Sequence, residues 1–289
     1  MPGHIYAQSG RLENAAHAFS SAALNELGYM SADILYGNGH HAHNYHFLIH
    51  TLGLQGRYRE AITRSQELLR MKENPRERSS IDGSSAHRQG WFTLMKTLVR
   101  FENWDQILDG KTFPLYNKPR ESAWYHWAQG LAHASKGDVA SAEVSYQDMQ
   151  KALDALKSAS TIPPQLEGAR VELEGLIQVK KGKREKGIEL LRKAARMEAE
   201  LLYTEPPAYP RPALEMLGKT ALLLRDFKEA EAAYRQALDN EPGSGRALWG
   251  IAQALNGAGK RADFEKVYTE FVRVWKTADT DLPEISSKP

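Results

Sequence analysis

Histidine is concentrated at the N-terminal end of this chain. Seven of its ten histidines fall within the first 50 residues: His4, His17, His40, His41, His43, His46 and His50. Three of them belong to the run HNYHFLIH. In an α-helix, at ~100° per residue, His43, His46 and His50 would share a stripe ~60° wide. The run therefore predicts one helix that presents three imidazole rings on a single face.

Imidazole nitrogens are good ligands for Zn²⁺, Cu²⁺ and similar metal ions. Because His43 and His50 would lie ~10 Å apart along the helix axis, one ion cannot bind all three rings. It could bind His43 with His46, or His46 with His50. The competing interpretation is a polar stripe that binds no metal, since the chain has no HExxH motif and no carboxylate is spaced to complete a facial triad on the same helix.

An internal repeat indicates which elements position these rings. The clearest unit is 211–242, and its key positions are Leu214, Leu217, Gly218, Ala221, Phe227, Ala230, Tyr234, Ala237 and Pro242. Its small residues allow two helices to approach closely, its large ones fill the seam between them, and the proline ends the second helix. This order is that of the tetratricopeptide (TPR) consensus.

The same order recurs along the chain, with a turn glycine between two helical segments. The turn glycines are Gly10, Gly56, Gly137, Gly182 and Gly259. A degenerate unit at about 88–108 has Trp104 in the aromatic turn position and no glycine. No strand-like alternation is present, so we predict an all-α chain of about seven helical hairpins.

Over nearly its whole length the chain resembles the TPR family, and in particular the C-terminal region of large, divergent bacterial TPR proteins with His-rich segments. The resemblance implies a right-handed α-solenoid over residues 1–276, followed by a tail, 277–289, that is polar and expected to be frayed. Because the sequence begins in the middle of a first helix, further TPR repeats or another chain are expected at the N-terminal face.

The resemblance also implies a concave groove that binds a protein or peptide and is lined by fixed positions of each first helix. Carried over to this chain, those positions hold the histidines at the N-terminal end and aromatic residues in the middle. The implied ligand contacts are Phe92, Lys96, Arg100, Trp124 and Trp127. Lys96 and Arg100 match a Lys-x₃-Arg pair with which one TPR subclass grips C-terminal carboxylates, but histidines replace its Lys and Asn on the early repeats. Phe92, Trp124 and Trp127 also fit the competing interpretation of core residues.

In the same arrangement His4 lies on the helix adjacent to the histidine stripe. The candidate metal ligands are therefore His4, His43, His46 and His50, and the candidate cofactor is a Zn or Cu ion. Three protein ligands and one open position would permit water activation or redox chemistry.

Composition narrows the function classes. The chain has 289 residues, with 38 Lys and Arg against 36 Asp and Glu and a net charge of +2, which is too balanced to indicate a nucleic-acid partner. It has no cysteine, which excludes disulfides and thiolate metal sites. No apolar run is long enough for a membrane span and no signal peptide is visible, so a cytoplasmic location is the default expectation.

Two functions remain. The leading prediction is a TPR-type module that binds a protein or peptide in its concave groove, and the sequence leaves open whether the chain is an enzyme. The alternative is a metal-binding protein or metal-dependent enzyme with a His-rich site on the first two repeats.

Overall fold

The computed structural model describes residues 2–33, 37–72, 85–116, 118–159 and 161–286. All regular secondary structure within these ranges is helical. The helices are α1 (Pro2–Gln8), α2 (Leu12–Ala32), α3 (Gly39–Leu54), α4 (Tyr58–Arg70), α5 (Ala86–Arg100), α6 (Trp104–Leu108), α7 (Pro119–Ser135), α8 (Val139–Ala159), α9 (Pro164–Lys180), α10 (Arg184–Ala199), α11 (Ala213–Leu223), α12 (Phe227–Asn240), α13 (Gly245–Gly257), α14 (Arg261–Val274) and α15 (Pro283–Ser286).

Helices α1 to α14 form seven consecutive hairpins, each with a short turn between its two helices. Short connections favour antiparallel packing of neighbouring helices. Helices α1 and α2, α3 and α4, α7 and α8, α9 and α10, and α13 and α14 pack against each other in this way. The second helix of one hairpin also contacts the first helix of the next, as in α2–α3, α8–α9 and α10–α11. The all-α class and the seven TPR-like hairpins predicted from the sequence are confirmed.

A residue with positive φ follows the first helix of every hairpin. Five turns use the predicted glycines Gly10, Gly56, Gly137, Gly182 and Gly259, with φ between 69° and 87°. The remaining two turns use Glu102, with φ 54°, and Arg225, with φ 61°. Glycine adopts this left-handed conformation without steric cost, which is why it marks most of the turns in the sequence. Glu102 and Arg225 adopt the same left-handed conformation at the two turns that have no glycine.

The chain divides into two compact units. Unit 1 contains Met1–Thr97 and Leu238–Pro289, and unit 2 contains Leu98–Ala237. In unit 1 the C-terminal helices pack against the N-terminal ones. Trp275, which is 2 % exposed, donates its indole N–H to the carbonyl of Leu54 over 2.9 Å.

The segment after Trp275 also contacts the second hairpin, although the sequence predicted a frayed tail. The backbone N–H of Asp279 donates to the carbonyl of Gly56 over 3.1 Å. The Asp279 carboxylate accepts a hydrogen bond of 2.7 Å from the backbone N–H of Arg59, in the first turn of α4, and Asp281 pairs with the Arg59 guanidinium at 2.8 Å. A carboxylate from the tail thus satisfies a backbone donor that the helix itself leaves free.

Close packing of α5 on α4 depends on Gly90. A Cβ atom at this position would overlap the backbone of Leu68 and Leu69. Because that backbone must move to admit a methyl group, we expect Gly90→Ala to lower the free energy of unfolding by about 1–3 kcal/mol. Urea denaturation measures the change.

Gly28 provides the matched control for that substitution. It is exposed in α2, and a Cβ atom there would have nothing within 4 Å. Gly28→Ala is expected to stabilise the protein by about 0.5–1 kcal/mol, since alanine has the higher helix propensity. Equal effects of the two substitutions would contradict the packing argument.

Candidate functional site

The histidine stripe lies on α3, where the sequence predicted a helix. Its three rings contact three different parts of unit 1, so each has its own surroundings.

The first ring of the stripe, His43, meets His4 of α1. The two imidazoles are stacked, with ring centroids 5.7 Å apart and an interplanar angle of 29°. Both rings pack edge-on against Phe47, at 4.3 Å for His4 and 5.0 Å for His43. Phe19 of α2 stacks on Phe47, with ring centroids 4.9 Å apart, and meets His4 edge-on at 5.2 Å. His43 remains exposed and His4 is half-buried, so this pair lies at the edge of an aromatic core.

The second ring, His46, faces α5. Its Nε2 lies 3.2 Å from Nζ of Lys96, and it also hydrogen-bonds Gln89. Burial lowers the pKa of His46 well below its ordinary value, and the neighbouring Lys96 and His50 charges lower it further. A neutral imidazole can accept a hydrogen bond from the Lys96 ammonium, which a protonated one cannot.

The third ring, His50, faces Glu241, which follows α12. Its Nε2 lies 3.6 Å from the Glu241 carboxylate, whose side chain is 7 % exposed. The stripe therefore has a cationic neighbour at its centre and an anionic neighbour at its end.

These contacts separate the predicted metal ligands. His4 and His43 are close together, but His46 is directed to Lys96 and His50 to Glu241. Among the described residues, no group of three or more His, Cys, Asp or Glu side chains could hold a metal ion. The four histidines therefore do not converge on one coordination site in this part of the chain.

Two of the predicted peptide contacts also lie on α5, in unit 1. Phe92 and Lys96 are both partly exposed. The Arg88 guanidinium lies 4.9 Å from the centroid of the Phe92 ring, within cation–π distance. With His43 and His46, these side chains form what we call the α3–α5 face.

The other three predicted contacts are buried in unit 2. Trp124 is 1 % exposed and Trp127 is 0 % exposed. Arg100 is 4 % exposed and lies 3.8 Å from Glu215. None of the three offers a ligand more than a trace of surface, so their assignment to an open groove is corrected. The burial of both tryptophans agrees with the competing interpretation that they are core residues.

A carboxylate lies in the same core of unit 2 as Trp127. Glu172 of α9 is fully buried and accepts hydrogen bonds from Trp127 Nε1 at 3.2 Å and from Tyr209 Oη at 2.8 Å. Its other oxygen pairs with Arg211 at 3.1 Å. Burial raises the pKa of Glu172, against the opposing effects of Arg211 and the two hydrogen-bond donors. Tyr209 and Arg211 belong to the proline-rich stretch between α10 and α11, and the repeat pattern gave no signal that they meet Glu172.

Comparison with known proteins identifies the class of protein. Residues 215–278 match the tetratricopeptide repeat family, and they cover most of the last two hairpins. No curated protein matches the chain. Together with the helical hairpins, the match shows that this is a TPR-containing protein. None of the helices in the described ranges is both long and apolar enough to cross a membrane.

The partly buried imidazole of His46 predicts a pH dependence of stability. Because the pKa of His46 is lower in the folded chain than its ordinary value of 6.5, the unfolded chain takes up this proton first as the pH falls. The stabilisation is complete above pH ~6.5 and is lost below it, by at most about 1.4 kcal/mol per pH unit for one proton. Burial lowers the pKa of His41 and of His126 in the same direction.

We therefore expect His46→Gln to reduce the loss of stability between pH 6.5 and pH 5, as measured by urea denaturation at each pH. His17→Gln is the control because it removes an exposed imidazole of α2, and we expect the slope to change more in His46→Gln than in this variant. An unaltered slope in His46→Gln would show that this imidazole titrates normally in the folded protein.

Proposed function

We propose that this protein is an interaction module that binds a segment of a partner protein on the α3–α5 face. TPR repeats generally mediate protein–protein interactions. The observation that carries the proposal is the combination of side chains that retain surface on this face: exposed His43, and partly exposed His46, Phe92 and Lys96. Aromatic and charged side chains at the centre of a contact commonly supply most of its binding energy.

The chemistry of the face favours a partner segment with an acidic group beside an apolar side chain. Lys96 and Arg88 supply positive charge on α5. The Lys96 ammonium contacts the neutral imidazole of His46. The Phe92 ring supplies apolar surface next to the Arg88 guanidinium. Arg100, Trp124 and Trp127 have no part in this proposal because they are buried.

The proposal is tested with a random-peptide library displayed on phage. We expect purified protein to select peptides that combine an acidic and an apolar residue. In calorimetry, Phe92→Ala and Lys96→Ala should each weaken binding of the selected peptide at least about tenfold, which corresponds to 1.4 kcal/mol of binding free energy. Lys193→Ala is the control because Lys193 is exposed on α10, in unit 2. Failure to select any peptide, or equal binding by all variants, would contradict the proposal.

The metal-dependent alternative is not adopted, because the described residues include no group of three or more His, Cys, Asp or Glu side chains that could hold a metal ion. It stays a prediction with a direct test. Equimolar Zn²⁺ or Cu²⁺ should raise the Tm if the folded chain binds the ion, since a ligand of the folded state stabilises it. A rise that His46→Ala or His4→Ala abolishes would support the metal site, and an unchanged Tm would remove it.

A further inference from the structure

We propose that unit 1 has a second binding site, for a small carboxylate that also carries an N–H donor, as an α-amino acid does. The site is a cleft of about 290 Å³. Its walls are the turn between α1 and α2, the first turn of α2, the end of α3 and the end of α14. This volume is at the lower limit of small-molecule pockets, so the cleft suits a ligand of a few heavy atoms rather than a protein segment.

The polar group that points to a ligand is Gln55, at the end of α3. Gln55 lines the cleft and is 2 % exposed. Its Oε1 is buried and has no hydrogen-bond donor among the described residues. A buried acceptor left unsatisfied costs free energy. A ligand with an N–H group satisfies it. The neighbouring cleft also contains Gln55 and Glu13, which leaves room for a side chain of the ligand.

The rest of the wall favours an anion. The first-turn residues of α2, Leu12 to Asn14, line the cleft, and α2 has no side-chain cap at its start. The free N–H groups and the helix dipole at such an end attract a carboxylate. Arg11, Arg273 and Lys276 add three cations to the wall.

The carboxylates around the cleft only partly neutralise those cations. Lys276 pairs with Glu13 at 2.6 Å and Arg273 pairs with Glu270 at 2.5 Å. Arg11 forms no ion pair within the described part of the chain, and its guanidinium lies 4.7 Å from the centroid of the Tyr6 ring. Three cations face two carboxylates, so the wall carries a net positive charge. An α-amino acid matches it by placing its carboxylate at the start of α2 and its ammonium group at Gln55.

The test is calorimetry of the full chain with a panel of α-amino acids, with acetate and inorganic phosphate as probes that lack an N–H donor. We expect at least one amino acid to bind and acetate to bind at least tenfold more weakly. Gln55→Leu should weaken binding of the amino acid at least tenfold. The Tm of the unliganded variant should equal or exceed that of the wild type, because the substitution removes an acceptor that has no donor.

Gln178→Leu is the matched control. Gln178 of α9 also has a buried Oε1 with no donor among the described residues, but it lies in unit 2, so its replacement should leave binding unchanged. If Gln55→Leu does not fold, Arg11→Ala provides the second test and should weaken the carboxylate contact. Absence of binding by every amino acid, or equal binding of acetate and amino acid, would overturn the proposal. Because the α3–α5 face is not involved, these results are independent of the peptide-selection experiment.

Discussion

Trp275→Ala is expected to lower the free energy of unfolding by about 3–5 kcal/mol, the usual cost of deleting a buried tryptophan. The indole is 2 % exposed and packs 5.2 Å from the Phe271 ring. The chain backbone approaches it closely at two points, since a Cβ atom at Gly56 or at Gly245 would overlap the ring. Its N–H also satisfies the carbonyl of Leu54. The substitution removes this packing and leaves that carbonyl without its donor.

Urea denaturation measures the change, and two variants separate its causes. Trp275→Phe keeps most of the apolar contact but removes the N–H, so it should cost less than the alanine variant. Leu202→Ala should have little effect because Leu202 is 89 % exposed. We also expect faster hydrogen exchange of the Asp279 amide in Trp275→Ala. This amide donates to the carbonyl of Gly56 and lies shortly after Trp275 in the chain. A Trp275→Ala protein as stable as the wild type would mean that the C-terminal helices do not pack on the N-terminal hairpins.

Glu172→Ala is the second substitution with a large expected effect. It should lower the free energy of unfolding by about 3–5 kcal/mol, because it leaves a buried cation without its anionic partner. Arg211 is 3 % exposed and pairs with the Glu172 carboxylate. Trp127 and Tyr209 would lose their hydrogen-bond acceptor at the same time. The cost thus has two sources, an uncompensated charge and two unsatisfied donors.

The control for this substitution lies on the same helix. Glu167 pairs with Arg170 at 3.1 Å, but both side chains are partly exposed. Glu167→Ala should therefore cost at most about 1 kcal/mol, as surface ion pairs do. Glu172→Gln keeps an acceptor for the two donors and should fall between the two alanine variants. If Glu167→Ala and Glu172→Ala destabilise equally in urea denaturation, the buried carboxylate is not a main support of unit 2.

Several features of this protein were determined by the sequence alone. The spacing of small and large residues in 211–242 predicted a helical hairpin, and helices α11 and α12 lie there. Turn glycines located five of the seven turns, and the run HNYHFLIH lies on a single helix as its spacing predicted. These features depend on contacts between residues a few positions apart, which local spacing and backbone preference report directly.

Only the tertiary structure decided which of those residues face solvent and which partners they meet. Trp124 and His43 occupy equivalent places in the repeat pattern, yet the indole is 1 % exposed and the imidazole is exposed. The partners of His46, His50 and Glu172 lie 50, 191 and 39 residues away, at Lys96, Glu241 and Arg211. Contacts between residues so far apart in the sequence depend on how several hairpins pack together. The spacing of residues within one hairpin does not determine that packing.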